Sequence, residues 1–138
     1  MLETDLNIDQ LKEAIIGCAI EVHRTLGPGL LESVYRECLL IELKKQRLHT
    51  LCEHQIPLVY KGTPISGVLK LDLLVNNAVV VEVKAVERYH PVHLAQLVTY
   101  LKLTGHPAGL LMNFNVTTLK AGLRRADHPD RYVKQKPS

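Results

Sequence analysis

The stretch Leu71-Asp72-Leu73-Leu74-Val75-Asn76-Asn77-Ala78-Val79-Val80-Val81-Glu82-Val83-Lys84 constrains this chain more than any other. Aliphatic and β-branched residues flank an Asn-Asn pair, which reads as two strands of a hairpin buried in a sheet. Three charges interrupt it, and a charge inside a sheet is costly unless it is paired or binds a metal. Glu82 and Lys84 are two residues apart, so on a strand they share a face. Asp72 joins them in one register only. A three-residue loop, Asn76 to Ala78, sets Val75 against Val79 and Asp72 against Glu82. A two-residue Asn-Asn turn sets Asp72 against Val81 and splits the carboxylates between faces. The first register leaves Leu71, Leu73, Val81 and Val83 as one apolar face, with Asp72, Leu74, Val80, Glu82 and Lys84 on the other. That division predicts the three-residue loop and gathers two carboxylates and an ammonium at one end of the sheet.

Helical patterns precede the hairpin. Asn7 and Gln10 have the spacing of a capping box. Leu11, Ile15, Cys18 or Ala19, Val22 and Leu26 then recur at helical spacing up to Gly27-Pro28-Gly29. A second helix is predicted from about Leu31 to Gln46, with Leu31, Val34, Tyr35, Cys38 and Leu39 facing inward. After His49 the period becomes strand-like. Leu51 to Tyr60 reads as a strand bent at Pro57, Ile65 to Val75 as a longer one with a bulge at Gly67, and Ala78 to Ala85 as a third. Pro91 opens a third helix to about Leu103. Ala108 to Asn113 is a further strand, and Leu119 to Ala126 reads as either a short strand or a helical turn. The order α-α-β-β-β-α-β predicts an α/β fold, a mixed sheet flanked by helices.

Length and charge narrow the function classes. With 138 residues the chain makes one domain, expected over residues 1–126. Aromatic residues are 4% of the chain with no Trp, which argues against nucleic-acid binding by base stacking. The net charge of +3 is uneven. Residues 1–119 hold 11 basic and 12 acidic side chains, whereas Lys120, Arg124, Arg125, Arg131, Lys134 and Lys136 face only Asp127 and Asp130. Residues 127–138 therefore read as a basic, flexible C-terminal tail, which steers toward phosphates or merely solubilises. Cys18, Cys38 and Cys52 form no CxxC pair and read as reduced thiols. No signal-peptide layout and no membrane-length apolar run is present, so a cytoplasmic protein is expected.

Two readings of Asp72, Glu82 and Lys84 compete. Two carboxylates a strand apart repel unless something positive lies between them, and a hard divalent cation such as Mg²⁺ or Mn²⁺ suits oxygen ligands. Alternatively, Glu82 and Lys84 form a salt bridge and Asp72 is exposed.

Further residues bear on the choice. Val22-His23-Arg24-Thr25-Leu26-Gly27-Pro28-Gly29-Leu30-Leu31-Glu32-Ser33-Val34-Tyr35 resembles the signature of the GxxExxY proteins, with Gly29, Glu32 and Tyr35 as its fixed letters. That family is placed in the PD-(D/E)XK nuclease superfamily. The resemblance continues through Asp72, Glu82-Val83-Lys84, Gln96-Leu97-Val98-Thr99-Tyr100 and Gly109-Leu110-Leu111-Met112-Asn113-Phe114, over roughly residues 8 to 126. It implies a metal-dependent nuclease that hydrolyses phosphodiester bonds; nucleic acid is the expected partner, DNA ahead of RNA. By similarity Asp72 and Glu82 are the main metal ligands and Lys84 is the catalytic lysine. Glu32 is a further acidic ligand or water-orienting group, and His23 is a second-tier ligand. Gln96 and Tyr100 look like the QxxxY motif of RecB-like nucleases, which handles substrate. Lys70 stands where relatives often have Arg, keeping the charge but losing bidentate phosphate recognition. The alternatives are a catalytically silent nucleic-acid or nucleotide binding module, or a protein-interaction domain on the same fold. No membrane partner is expected, and a homo-oligomer stays open.

Overall fold

The helical period of the first segment builds α1, Ile8–Leu26, which buries Leu11, Ile15, Ile16, Cys18, Ala19 and Val22. Its start is the expected box: Gln10 N donates to Asn7 Oδ1 at 2.8 Å and Asn7 N donates to Gln10 Oε1 at 3.1 Å. The structure, a computed structural model, describes residues 6–130. The larger part of the expected basic tail, 131–138, lies outside the described residues.

The remaining elements follow in the expected order. They are α2 (Glu32–Lys45), β1 (Thr50–Tyr60), β2 (Thr63–Val75), β3 (Val79–Lys84), α3 (Pro91–Thr104) and β4 (Ala108–Asn113). Residues 119–126 resolve into both alternatives, a single turn α4 (Leu119–Gly122) and then a strand β5 (Leu123–Asp127). The sheet therefore reaches Asp127, opposite Ala108, one residue past the expected boundary. Leu31 is the N-cap of α2 and is 74% exposed, not inward-facing, because the helix starts one residue later than expected. Tyr35, Leu39 and Leu43 carry its buried face.

The sheet order is β1-β2-β3-β4-β5. Only β3 and β4 run parallel, joined through α3, and the other pairs are antiparallel. Helices α1 and α2 share one core with Leu73, Val75, Val79, Val81 and Val83. Helix α3 shares the other, through Leu97 and Leu101, with Leu74, Val80 and Leu111. The sheet is thus covered on both faces, which is why β3 is apolar at nearly every position. The β1–β2 register slips between Pro57 and Val59, opposite the stretch that contains Gly67, so the expected bend and bulge are one irregularity.

The hairpin has the three-residue loop: Val75 pairs with Val79, Leu74 with Val80 and Leu73 with Val81. Asn76 and Asn77 take left-handed backbone (φ 51° and 52°), and Asn76 Oδ1 accepts from His49 N. The expected continuous apolar face breaks at one place. Leu69 and Leu71 pack in the α3 core, whereas Leu73 and Val75 pack under α1 and α2. Two residues apart on a flat strand would share a face, so the side-chain alternation of β2 changes phase at Asp72. The partner strand changes at the same rung. Leu51 and Ile56 both pack in the α3 core although they are five positions apart, and Glu53 between them is left-handed (φ 51°).

Candidate active site

The phase change leaves backbone amides that the β2–β3 ladder does not reach, and buried amides must find acceptors. Beyond the Leu73–Val81 rung the two carboxylates take them. Asp72 N donates to Glu82 Oε2 at 2.8 Å, and Val83 N donates to Asp72 Oδ2 at 2.8 Å. Each strand's acid is bonded to the other strand's backbone, so the hairpin ends in a fork with a carboxylate on each prong. The second oxygen of each carboxylate accepts no hydrogen bond among the described residues.

Burial is the main electrostatic fact here. It pushes the Glu82 carboxyl up to about 8, with the charges of Asp72 and Glu32 adding to the rise, while the Asp72 amide and Lys84 oppose it. Burial likewise raises Asp72, against the pull of the Val83 amide, Arg36 and Lys84. Two desolvated carboxyls this close resist carrying two charges together. A cation between them would remove that conflict.

The charge of Glu32, the first residue of α2, acts on both carboxyls, and the sequence around it explains how that helix is set. Gly27 and Gly29 are left-handed (φ 73° and 103°), a conformation that strains other residues. The Tyr35 hydroxyl donates to Gly27 O at 2.6 Å and accepts from Leu30 N at 3.1 Å. The Tyr35 ring stacks on Phe114, with centroids 4.7 Å apart. Tyr35 is fully buried, so it acts as a clamp that sets the entry of α2, with Glu32 as that helix's first residue. Across the sheet, Tyr100 on α3 is raised by burial and then by the charges of Glu82 and Asp72, against a hydrogen bond from Gln96. Gln96 and Tyr100, four apart on α3, share one helix face, and the carboxylate charges act on Tyr100.

Lys84 ends β3, opposite Asn113 of β4. Its charge acts on both carboxyls, yet among the described residues it closes no salt bridge. The salt-bridge reading of this trio fails on both counts: Asp72 is half-buried, and Lys84 is not locked onto Glu82. Lys70 is exposed on β2, opposite Gln55. His23 is buried and committed to other partners. Its Nε2 is hydrogen-bonded to Val116 O at 2.8 Å and its ring tilts against Phe114, so it is not among the groups acting on Asp72 or Glu82.

Three residues at the site escaped the sequence reading. Arg36 lies one helical turn after Glu32 and acts on Asp72, and reading four residues on from Glu32 along the helix face would have found it. Its partner Glu53 had no local signal. Asn113 is 3% exposed and ties down the chain after β3: Oδ1 accepts from Val86 N at 3.0 Å and Nδ2 donates to Val86 O at 2.8 Å.

Compared with models of known protein families, residues 9–126 match the PD-(D/E)XK nuclease superfamily. This chain belongs to that superfamily. No curated protein and no solved structure gives a significant match.

PD-(D/E)XK nucleases are typically metal-dependent, and the residues present can be tested against that. Among the described residues no group of three or more His, Cys, Asp or Glu side chains is gathered closely enough to hold an ion. The complete set of Asp72, Glu82, Glu32 and His23 is therefore not assembled. The Asp72–Glu82 pair nevertheless suits one class of metal. It offers hard oxygen donors, each carboxylate has one uncommitted oxygen, and the pair is short of positive charge. A Mg²⁺-like ion that keeps most of its waters and takes one or two carboxylates fits that donor set.

Proposed function

We propose that this PD-(D/E)XK chain is a Mg²⁺- or Mn²⁺-dependent nuclease of the GxxExxY type acting on nucleic acid, DNA ahead of RNA. One observation carries the reading: a buried carboxylate, Glu82, and a half-buried one, Asp72, are crossed onto each other's strand amides, each with one oxygen to spare. Asp72 and Glu82 would hold the ion, with Glu32 acting on it through water. The bound ion supplies charge neutralisation at the scissile phosphate and a more acidic water. The chain's own part is positional. The fork's amides fix both carboxylates. The Lys84 ammonium opposes negative charge that grows on the phosphate. Tyr100, oriented by Gln96, offers a polar contact from α3, and Lys70 offers a positive charge farther along β2.

The test is cleavage of plasmid DNA and of RNA by the purified protein with Mg²⁺ or Mn²⁺. Cleavage should stop in EDTA and in Asp72→Asn and Lys84→Ala. Variants that cleave as well as wild type would show a contaminating activity and end the assignment. A second reading, binding without hydrolysis, is favoured by the absence of a gathered three-ligand cluster among the described residues. It requires binding that persists in EDTA and no cleavage with any divalent ion.

A further inference from the structure

Arg36 makes one polar contact among the described residues, from Nη2 to Glu53 Oε1 at 2.9 Å. Its Nε–H is buried and has no acceptor. A guanidinium is a planar fork whose donors match carboxylate and phosphate in pairs. A purely structural arginine in a core would have those donors filled, because a buried unsatisfied N–H is a cost. The partner is costly too. Glu53 takes left-handed backbone inside a strand, at the rung where its neighbours Cys52 and His54 pair with Leu73 and Leu71. That rung is Asp72. A strained residue next to such a site is a reason to ask what it positions. Here the strained residue delivers a carboxylate to Arg36. The Arg36 side chain as a whole is 19% exposed, although its Nε is not.

We propose that Arg36 is a phosphate ligand of this site: Glu53 holds its guanidinium beside Asp72, where it binds a non-bridging oxygen of the nucleic-acid backbone. Glu53 is then a positioning residue. The proposal rests on the reading that nucleic acid is the substrate, and it deepens that reading by naming a contact. The charge of Arg36 also acts on Asp72, consistent with its station next to the carboxylate fork.

The test uses the full chain and a fluorescein-labelled DNA duplex, with anisotropy measured in Ca²⁺ across a salt series. Arg36→Gln should weaken binding by roughly tenfold or more and lower the slope of log affinity against log salt by about one. Arg36→Lys should keep the salt slope and lose part of the affinity, because a point charge replaces the fork. Glu53→Gln should weaken binding less than Arg36→Gln does. Glu53 is 48% exposed at its side chain, so Arg36→Gln leaves no buried charge behind and should fold. If it does not, Arg36→Lys carries the test. Unchanged affinity and slope, with only a lower Tm in Arg36→Gln and Glu53→Gln, would make the pair a mere tie between helix and strand and overturn the proposal. Wild type that binds no duplex overturns it together with the nucleic-acid reading. Wild type that binds but never cleaves, with Arg36→Gln weakened, ends the nuclease assignment and leaves the Arg36 contact standing.

Discussion

Glu82→Gln should stabilise the metal-free protein while removing its response to metal. The Glu82 carboxyl is held up to about 8 from an ordinary 4.5. A carboxyl raised in the folded state favours the fold only while protonated. Its contribution is complete below the ordinary value and is lost as pH rises through the folded one. A gap of roughly 3 to 4 pH units, at about 1.4 kcal/mol each, amounts to on the order of 5 kcal/mol as a ceiling. For a chain of this size that is roughly 15 °C in Tm. Glutamine cannot ionise, yet it keeps an oxygen for the Asp72 amide, so its Tm should be nearly flat where wild type declines. A divalent ion at about 100 times its Kd returns about 2.7 kcal/mol, most visibly at the alkaline end, where the ligand is already deprotonated. The assay is thermal unfolding of both proteins from about pH 5 to about pH 8.5, in EDTA and in Mg²⁺ or Mn²⁺. Parallel pH profiles for the two proteins, or equal Tm gains from metal, would refute the argument.

Three further outcomes follow from the packing. Gly122→Ala should lower Tm by the equivalent of about 1–3 kcal/mol, because a Cβ there would sit 2.2 Å from Asn113 O; thermal unfolding checks this. Tyr35→Phe leaves the Gly27 carbonyl and the Leu30 amide without their hydroxyl and should cost about 1–3 kcal/mol in urea unfolding, with faster hydrogen exchange at Leu30. Asn113→Ala removes the Val86 bridge, so it should lower Tm and also release the end of β3, and any cleavage activity should fall more than the loss of folded protein explains.

Local and short-range features were legible from the residues. The Asn7–Gln10 box needs only a three-residue spacing. The hairpin register followed from the one loop length that divides apolar from charged positions between two faces, and Val75 does pair with Val79. The helix-to-strand change after His49 reflects a change of period that any burial of those side chains must obey. The α2 start was misplaced by one residue because no side chain caps it. The expected roles at Glu32 and Tyr35 came from resemblance, while the physical task of Tyr35, clamping a left-handed turn, became visible only once Phe114 and Gly27 were beside it.

By itself the sequence determined that a Val-rich hairpin carrying Asp72, Glu82 and Lys84 would lie inside a two-sided sheet, since alternation and apolar content leave such a segment no other home. Tertiary structure decided what those charges do. The phase change opposite Glu53, the carboxylates crossed onto strand amides and the approach of Arg36 join residues from separate helices and strands. Such contacts depend on how twisted strands meet packed helices, a distance in space that spacing along the chain does not encode.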